Sequence, residues 1–329
     1  MVKLRAAFVL LSMLTAIPAL HDAAAHPPAP APSHAASIQI EPALHRTQIP
    51  AATPVALQPV KHEARHALWS VKGRRNTLYL LGSIHFLPPD EPLPAVMDAA
   101  YARAGRLVME IDMDDLDAQD TQRILRELGL LPPGQSLAQR LEPQAYAAIG
   151  AAARELGLNP ALLNPLRPWM AAMVLIQQHF TRMGLDSAAG IEQRLALRAR
   201  HDHKPIEGLE TLHQQLSYLA NLPEPLQIEF LMYSVEDFER VDRDLDELLS
   251  AWRQGDIRTL ERLLAEGFEA YPDLYRPLTI ERNHRWLASI EALLEDDEDC
   301  LLVVGALHLV GPDSIVALLR SRGHSVQRL

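Results

Sequence analysis

Thr77-Leu78-Tyr79-Leu80-Leu81-Gly82-Ser83-Ile84-His85 is the stretch from which the fold is read. Its apolar run is uncharged and of strand length, which suits the middle of a sheet. Gly82 then lets the backbone turn tightly or approach a ligand closely, and His85 follows three residues on. The same device returns near the end of the chain as Cys300-Leu301-Leu302-Val303-Val304-Gly305-Ala306-Leu307-His308. The repetition predicts that the two strand ends lie side by side. They would present His85 and His308 to one site, with Gly82 and Gly305 bringing the backbone close to whatever binds there.

The chain around these units has 329 residues, 48% hydrophobic and 22% charged, which is globular composition and excludes disorder of the whole. Lysine plus arginine is 31 and aspartate plus glutamate 42, a net charge of −11. An acidic body of this kind argues against nucleic acid as a partner, because phosphate binding needs a basic face. The single cysteine, Cys300, forbids an internal disulfide and Cys-rich zinc modules. Inside an apolar strand it reads as a small buried hydrophobe rather than a nucleophile.

Residues 1–25 read as a secretory signal: Lys3 and Arg5 precede an apolar run from Ala6 to Leu20, and small residues allow cleavage near Ala25. The expectation is a periplasmic or secreted protein with no stable membrane insertion after cleavage. Residues 26–65 form a Pro/Ala-rich linker without periodicity. At its end, His62, Glu63 and His66 spell His-Glu-x-x-His. That motif binds zinc only on a helix, where both His share a face. Here it runs into the strand-like Leu68-Trp69-Ser70-Val71 and is read as chance.

The folded domain is expected over 66–329. Leu68–Val71 and Leu78–Gly82 read as a hairpin, followed by a helix over Pro94–Ala104 and a strand from Arg106 to Asp112. Helical spacing then dominates to about Gly184, with a Met-rich apolar stripe after Pro168 that is read as core. A further helix opens at Gly190-Ile191-Glu192. Lys204 to Thr211 gives a short strand, a turn and a helix start. Helices follow to 295, and the carboxylate-rich Glu236–Asp246 reads as a solvated face. Strand, helix and terminal strand close the chain. This order predicts an α/β fold: a central mixed sheet with helices on its faces and a long helical insertion.

His85, Glu110, Glu210 and His308 all fall at or just after predicted strand ends, where such sheets hold their ligands. Two imidazoles and a carboxylate are a usual set for a catalytic divalent metal with an open water position. Glu210 or Asp112 could then serve as general base or ligand orienter. Arg282 and Asn283, on a predicted helix, could hold a substrate carboxylate or a developing oxyanion. Gly-x-Ser-x-Gly, Walker and Gly-x-Gly-x-x-Gly signatures are missing.

Several of these motifs, in this order, resemble the TraB/PrgY/GumN family, with the GumN-like bacterial branch nearest. They are Leu68-Trp69, Tyr79 to His85, Val108-Met109-Glu110, Lys204 to Thr211, Glu281-Arg282-Asn283, Val303 to Asp313, and Leu318 to Val326. The resemblance implies a fold shared with Tiki proteases and, more distantly, with erythromycin-esterase-like and ChaN-like proteins. It implies a metal-dependent site at His85, Glu110 and His308, with manganese or cobalt as the metal, zinc as a third ion to test, and Arg282 and Asn283 in support. Leu307 departs from the family pattern, since Gly often precedes the second His. The function expected is a metal-dependent hydrolase, peptidase-like, acting on a peptide or small molecule. Two other readings stand beside it: a non-catalytic peptide- or haem-binding protein, and a hydrolase using His and Glu without metal.

Overall fold

Leu78, Leu80 and Leu81 are fully buried, and their strand lies in the middle of a six-stranded sheet. A computed structural model describes residues 65–329 apart from 236, 237 and 270, and also leaves out the side chains of 238–240. The signal, most of the linker and His62 and Glu63 lie outside the described residues. His66 is in an extended segment, its N–H on the carbonyl of Leu329.

The strands are β1 (Leu68–Lys72), β2 (Thr77–Ser83), β3 (Arg106–Ile111), β4 (Ile206–Glu210), β5 (Cys300–Gly305) and β6 (Val326–Arg328). Their spatial order is β4-β3-β5-β2-β1-β6. The four strands from β4 to β2 are parallel, and β1 pairs antiparallel with both β2 and β6. The hairpin is as the sequence predicts, with Leu68 opposite Leu81 and Lys72 opposite Thr77. Every residue of β2 and β5 is buried, as central parallel strands require. Each buried Leu removes apolar area worth about 1.5–3 kcal/mol from water.

The helices begin with α1 (Ala95–Arg103), between β2 and β3. Between β3 and β4 come α2 (Ala118–Gly129), α3 (Pro143–Glu155), α4 (Pro168–Arg182) and α5 (Ile191–Asp202). Between β4 and β5 come α6 (Leu212–Ala220), α7 (Glu224–Tyr233), α8 (Phe238–Gln254), α9 (Ile257–Phe268) and α10 (Glu281–Leu293), and α11 (Ile315–Ser321) precedes β6. The fold is therefore mixed α/β, and β4, the short strand expected within Lys204 to Thr211, divides the expected long helical insertion in two. The Met-rich stripe of α4 is core, with Trp169, Met170 and Met173 buried. The carboxylate-rich stretch is not wholly solvated: Asp244 is buried, and Asp242 lies 2.7 Å from the His179 imidazole. Gly208 sits inside β4, where a Cβ would meet the backbone nitrogen of Asp112 at 2.5 Å. Among the described residues no helix is long and apolar enough to cross a membrane.

Parallel pairing sets Gly82 opposite Val304 and Ser83 opposite Gly305, so the two Gly-x-x-His turns leave the sheet as neighbours. A Cβ on Gly82 would stand 3.0 Å from the Cα of Ala306, so glycine is what lets the turns touch. Trp252, fully buried on α8, donates its indole N–H to the Gly82 carbonyl at 2.8 Å and ties the helical layer to this strand end.

Cys300, at the start of β5, is fully buried, and burial pushes its thiol up to about 11. It therefore stays protonated at pH 8, and a thiol reagent at that pH should label the native protein very slowly. In denaturant, where the pKa returns to about 8.5, labelling should be fast. A rapid native-state reaction would show a reactive cysteine instead.

Candidate active site

The first turn is held by the start of α5. The Ile191 N–H donates to the Ile84 carbonyl at 3.1 Å, and Gly190 lies so near that a Cβ would meet the His85 carbonyl oxygen at 2.2 Å. This contact carries Glu192, in the first turn of α5, to His85: its Oε1 is 2.7 Å from the imidazole Nδ1. The Ser83 hydroxyl donates to the same oxygen. Burial alone would push the Glu192 carboxyl up. Attraction to the imidazolium form of His85 and hydrogen bonds from His85 and Ser83 outweigh it, and the pKa ends below the ordinary value. A helix N-terminus favours the same ionised form.

The second turn is built differently. Residues Ala306–His308 form a short 3-10 turn beyond β5. The His308 Nδ1 is 2.6 Å from the Asn283 Oδ1. An amide oxygen only accepts, so Nδ1 carries the proton and Nε2 the lone pair. That lone pair accepts from Nη1 of Arg282 at 3.2 Å. Burial, then the charges of Arg282 and His85, hold the His308 pKa well below the usual value, and the ring is neutral.

Arg282 joins the site together from α10, which follows a π-helical turn over Arg276–Ile280 that places it. Its Nη2 donates to Oε2 of Glu110 at 2.5 Å and to Oε1 of Glu210 at 2.6 Å, and its Nε to Glu210 at 3.1 Å. Nη1 also reaches the Leu278 carbonyl at 3.3 Å. Glu110 accepts from the Gly305 N–H at 2.8 Å and from Gln215 at 3.1 Å. Glu210 accepts from Tyr218 at 3.0 Å and the Trp286 indole at 3.2 Å. Burial pushes the Glu110 carboxyl above its usual range. Arg282, His85 and the Gly305 N–H pull against that without cancelling it.

The structure thus brings Glu110, Glu210, His308, Arg282 and Asn283 into one buried network at the carboxyl ends of the parallel strands. His85 stands close enough for its imidazolium form to act electrostatically on both Glu110 and His308. Asp112 does not join: its carboxylate accepts the N–H groups of Asp114 and Asp115 and shapes a turn. Gly82 and Gly305, read as points of ligand approach, meet parts of the protein here, the Ala306 backbone and the Glu110 carboxylate. Leu307, the departure from the family pattern, is buried. Glu192, Gln215, Tyr218 and Trp286 were not singled out by the sequence. Only Glu192 carried a local signal, an acid directly after the helix-opening Gly190-Ile191.

The arrangement can be tested against the divalent metal expected from the sequence. Both nitrogens of His308 and both oxygens of Glu110 already hold protein partners, and the Arg282 guanidinium fills the space between them. Among the described residues no three His, Cys, Asp or Glu stand grouped so as to hold a metal ion. As arranged, these residues do not fit a resident metal.

A cavity of about 830 Å³ lies beside the network, not over it. Leu264, Phe268, Tyr275 and Pro312 line it, with Arg262 and Asp313 among its charged residues. Asp313 accepts from the Tyr275 hydroxyl at 3.3 Å, and its backbone carbonyl accepts from Asn283 at 2.9 Å. Asn283 therefore bridges the cavity-lining Asp313 to His308.

The segment that carries this site is similar to known proteins. The TraB/PrgY/gumN family matches residues 67–328. The uncharacterized protein YbaP of Escherichia coli (strain K12) is 27% identical over 252 residues, 76% of this chain and 90% of that protein. YbaP of Shigella flexneri matches to the same extent. The Metalloprotease TIKI homolog of Nematostella vectensis is 23% identical over 320 residues, 79% of this chain and 66% of that protein. No solved structure matches.

Two substitutions probe the two turns. Gly190→Ala should cost about 1–3 kcal/mol or more, because the added methyl meets rigid backbone at His85, and a shift of the urea midpoint would read it. Asn283→Ala should cost about 1–3 kcal/mol by leaving the His308 Nδ1–H and the Asp313 carbonyl without their partner. An unchanged midpoint for Asn283→Ala would mean that the amide does not hold His308.

Proposed function

The chain belongs to the TraB/PrgY/gumN family, and from that membership and this geometry we propose that it is a peptidase-like hydrolase, exported to the periplasm or outside the cell. One observation carries the reading: a buried carboxylate, Glu192, lies 2.7 Å from His85 Nδ1. A carboxylate there fixes the ring's orientation and tautomer, which leaves Nε2 unprotonated and able to take a proton from water. The name of the TIKI homolog supports the reaction class.

In the proposed reaction, a water oxygen adds to the carbonyl carbon of a peptide bond while its proton passes to His85 Nε2. The resulting imidazolium is stabilised by ionised Glu192. The same imidazolium then gives its proton to the departing amine as the carbon–nitrogen bond breaks, which returns His85 to its neutral form. Arg282 keeps Glu110 and Glu210 in place and balances their charge. The cavity beside Asp313 would seat the chain flanking the cleaved bond. No step passes through a metal, since Arg282 occupies the space between the residues that would hold it.

Digestion of a mixed peptide library, read by mass spectrometry, tests this. The wild type should cleave. Glu192→Gln and His85→Ala should each reduce cleavage by about 10²–10⁴-fold. Wild-type protein that is folded and cleaves nothing would sink the hydrolase reading. Undiminished cleavage by both variants would move the chemistry elsewhere.

A further inference from the structure

The donor set around Arg282 does not match its occupant. Three acceptors converge on one guanidinium: Oε2 of Glu110 at 2.5 Å, Oε1 of Glu210 at 2.6 Å and Nε2 of His308 at 3.2 Å. All three residues and Arg282 itself are buried. Two carboxylate oxygens and an imidazole nitrogen make a ligand set suited to a divalent transition metal. His308 is also prepared as a metal-binding His usually is, its other nitrogen held by Asn283 at 2.6 Å. A buried pair of carboxylates needs a cation, and here the side chain of Arg282 supplies it.

We infer that Arg282 is the built-in cation of a latent divalent-metal site formed by Glu110, Glu210 and His308, so that the arginine and a metal ion exclude each other there. A carboxylate oxygen cannot donate its lone pair to a metal while holding the guanidinium N–H along the same direction. With Arg282 in place, the acidic pocket is neutralised from within and takes no ion. When Arg282 is removed by substitution, the ligands are free to close on a smaller dication. This holds whether or not the chain cleaves peptides.

The test uses the chelator-stripped chain, with melting temperature and isothermal titration as readouts, and Mn²⁺, Co²⁺ and Zn²⁺ added singly. A ligand that binds only the native state raises its melting temperature. The wild type should show no rise that depends on His308. Arg282→Ala should bind one ion and gain stability with it, and Arg282→Ala combined with His308→Ala should lose that gain. Arg282→Met, which keeps much of the side chain's bulk, serves if the alanine variant does not fold. A metal-dependent rise in the wild type that His308→Ala removes would overturn the inference. So would folded Arg282 variants that bind none of the three ions. Peptide cleavage is scored separately: a wild type that excludes metal yet cleaves nothing upholds the latent site and sinks only the hydrolase.

Discussion

The parallel pairing of β2 with β5 is the contact on which the rest of this protein depends. It joins two strands far apart in the chain and sets Ser83 opposite Gly305. A slip of one residue would turn every side chain of β2 to the other face. Both faces of these strands are covered, so the apolar run tolerates little else. The two turns that follow can touch only because Gly82 has no side chain to meet Ala306. Trp252 and the start of α5 then lock the first turn from the helical side, while α10 locks the second.

Beyond the strand ends, electrostatics takes over from packing. Glu110, Glu210 and Arg282 are charged side chains in a buried setting, and isolated charges there would be costly. They are tolerable because each is saturated: the arginine by two carboxylates, a carbonyl and an imidazole, the carboxylates by a backbone N–H, an amide, an indole and a phenol. Such a network adds modest net stability, but removing one member exposes the full cost of the others. The same saturation makes His308 a structural and electrostatic partner in this arrangement. His85 is instead paired with Glu192, whose carboxyl is held below its ordinary pKa.

Much of this architecture is legible in the order of residues alone. The hairpin, the strand from Arg106, the short strand within Lys204 to Thr211 and the repeated Gly-x-x-His units follow from alternation, apolar runs and glycine, which are properties of a few consecutive residues. The membership of Glu210 in the site is equally readable, because a strand end places a residue along the sheet edge whatever its neighbours are. Asp112 shows the limit of that reasoning: it too follows a strand, yet its side chain closes a local turn. Gly208 shows another, since a glycine that looks like a turn former serves the close approach of two strands.

The sequence by itself determined which segments are strands and helices, that glycine and histidine recur together after two of them, and that the fold is α/β with a long helical stretch between its strands. Only the tertiary structure decided who meets whom. Ser83 finds Glu192 across 109 residues of chain, Arg282 finds Glu110 across 172, and Gly305 finds Glu110 across 195. Local periodicity carries no information about such partners, because they follow from the order of strands in the sheet and from which helix packs over which strand end. For that reason the two histidines, alike in sequence, differ in role: one faces a carboxylate at the start of a helix and the other an arginine.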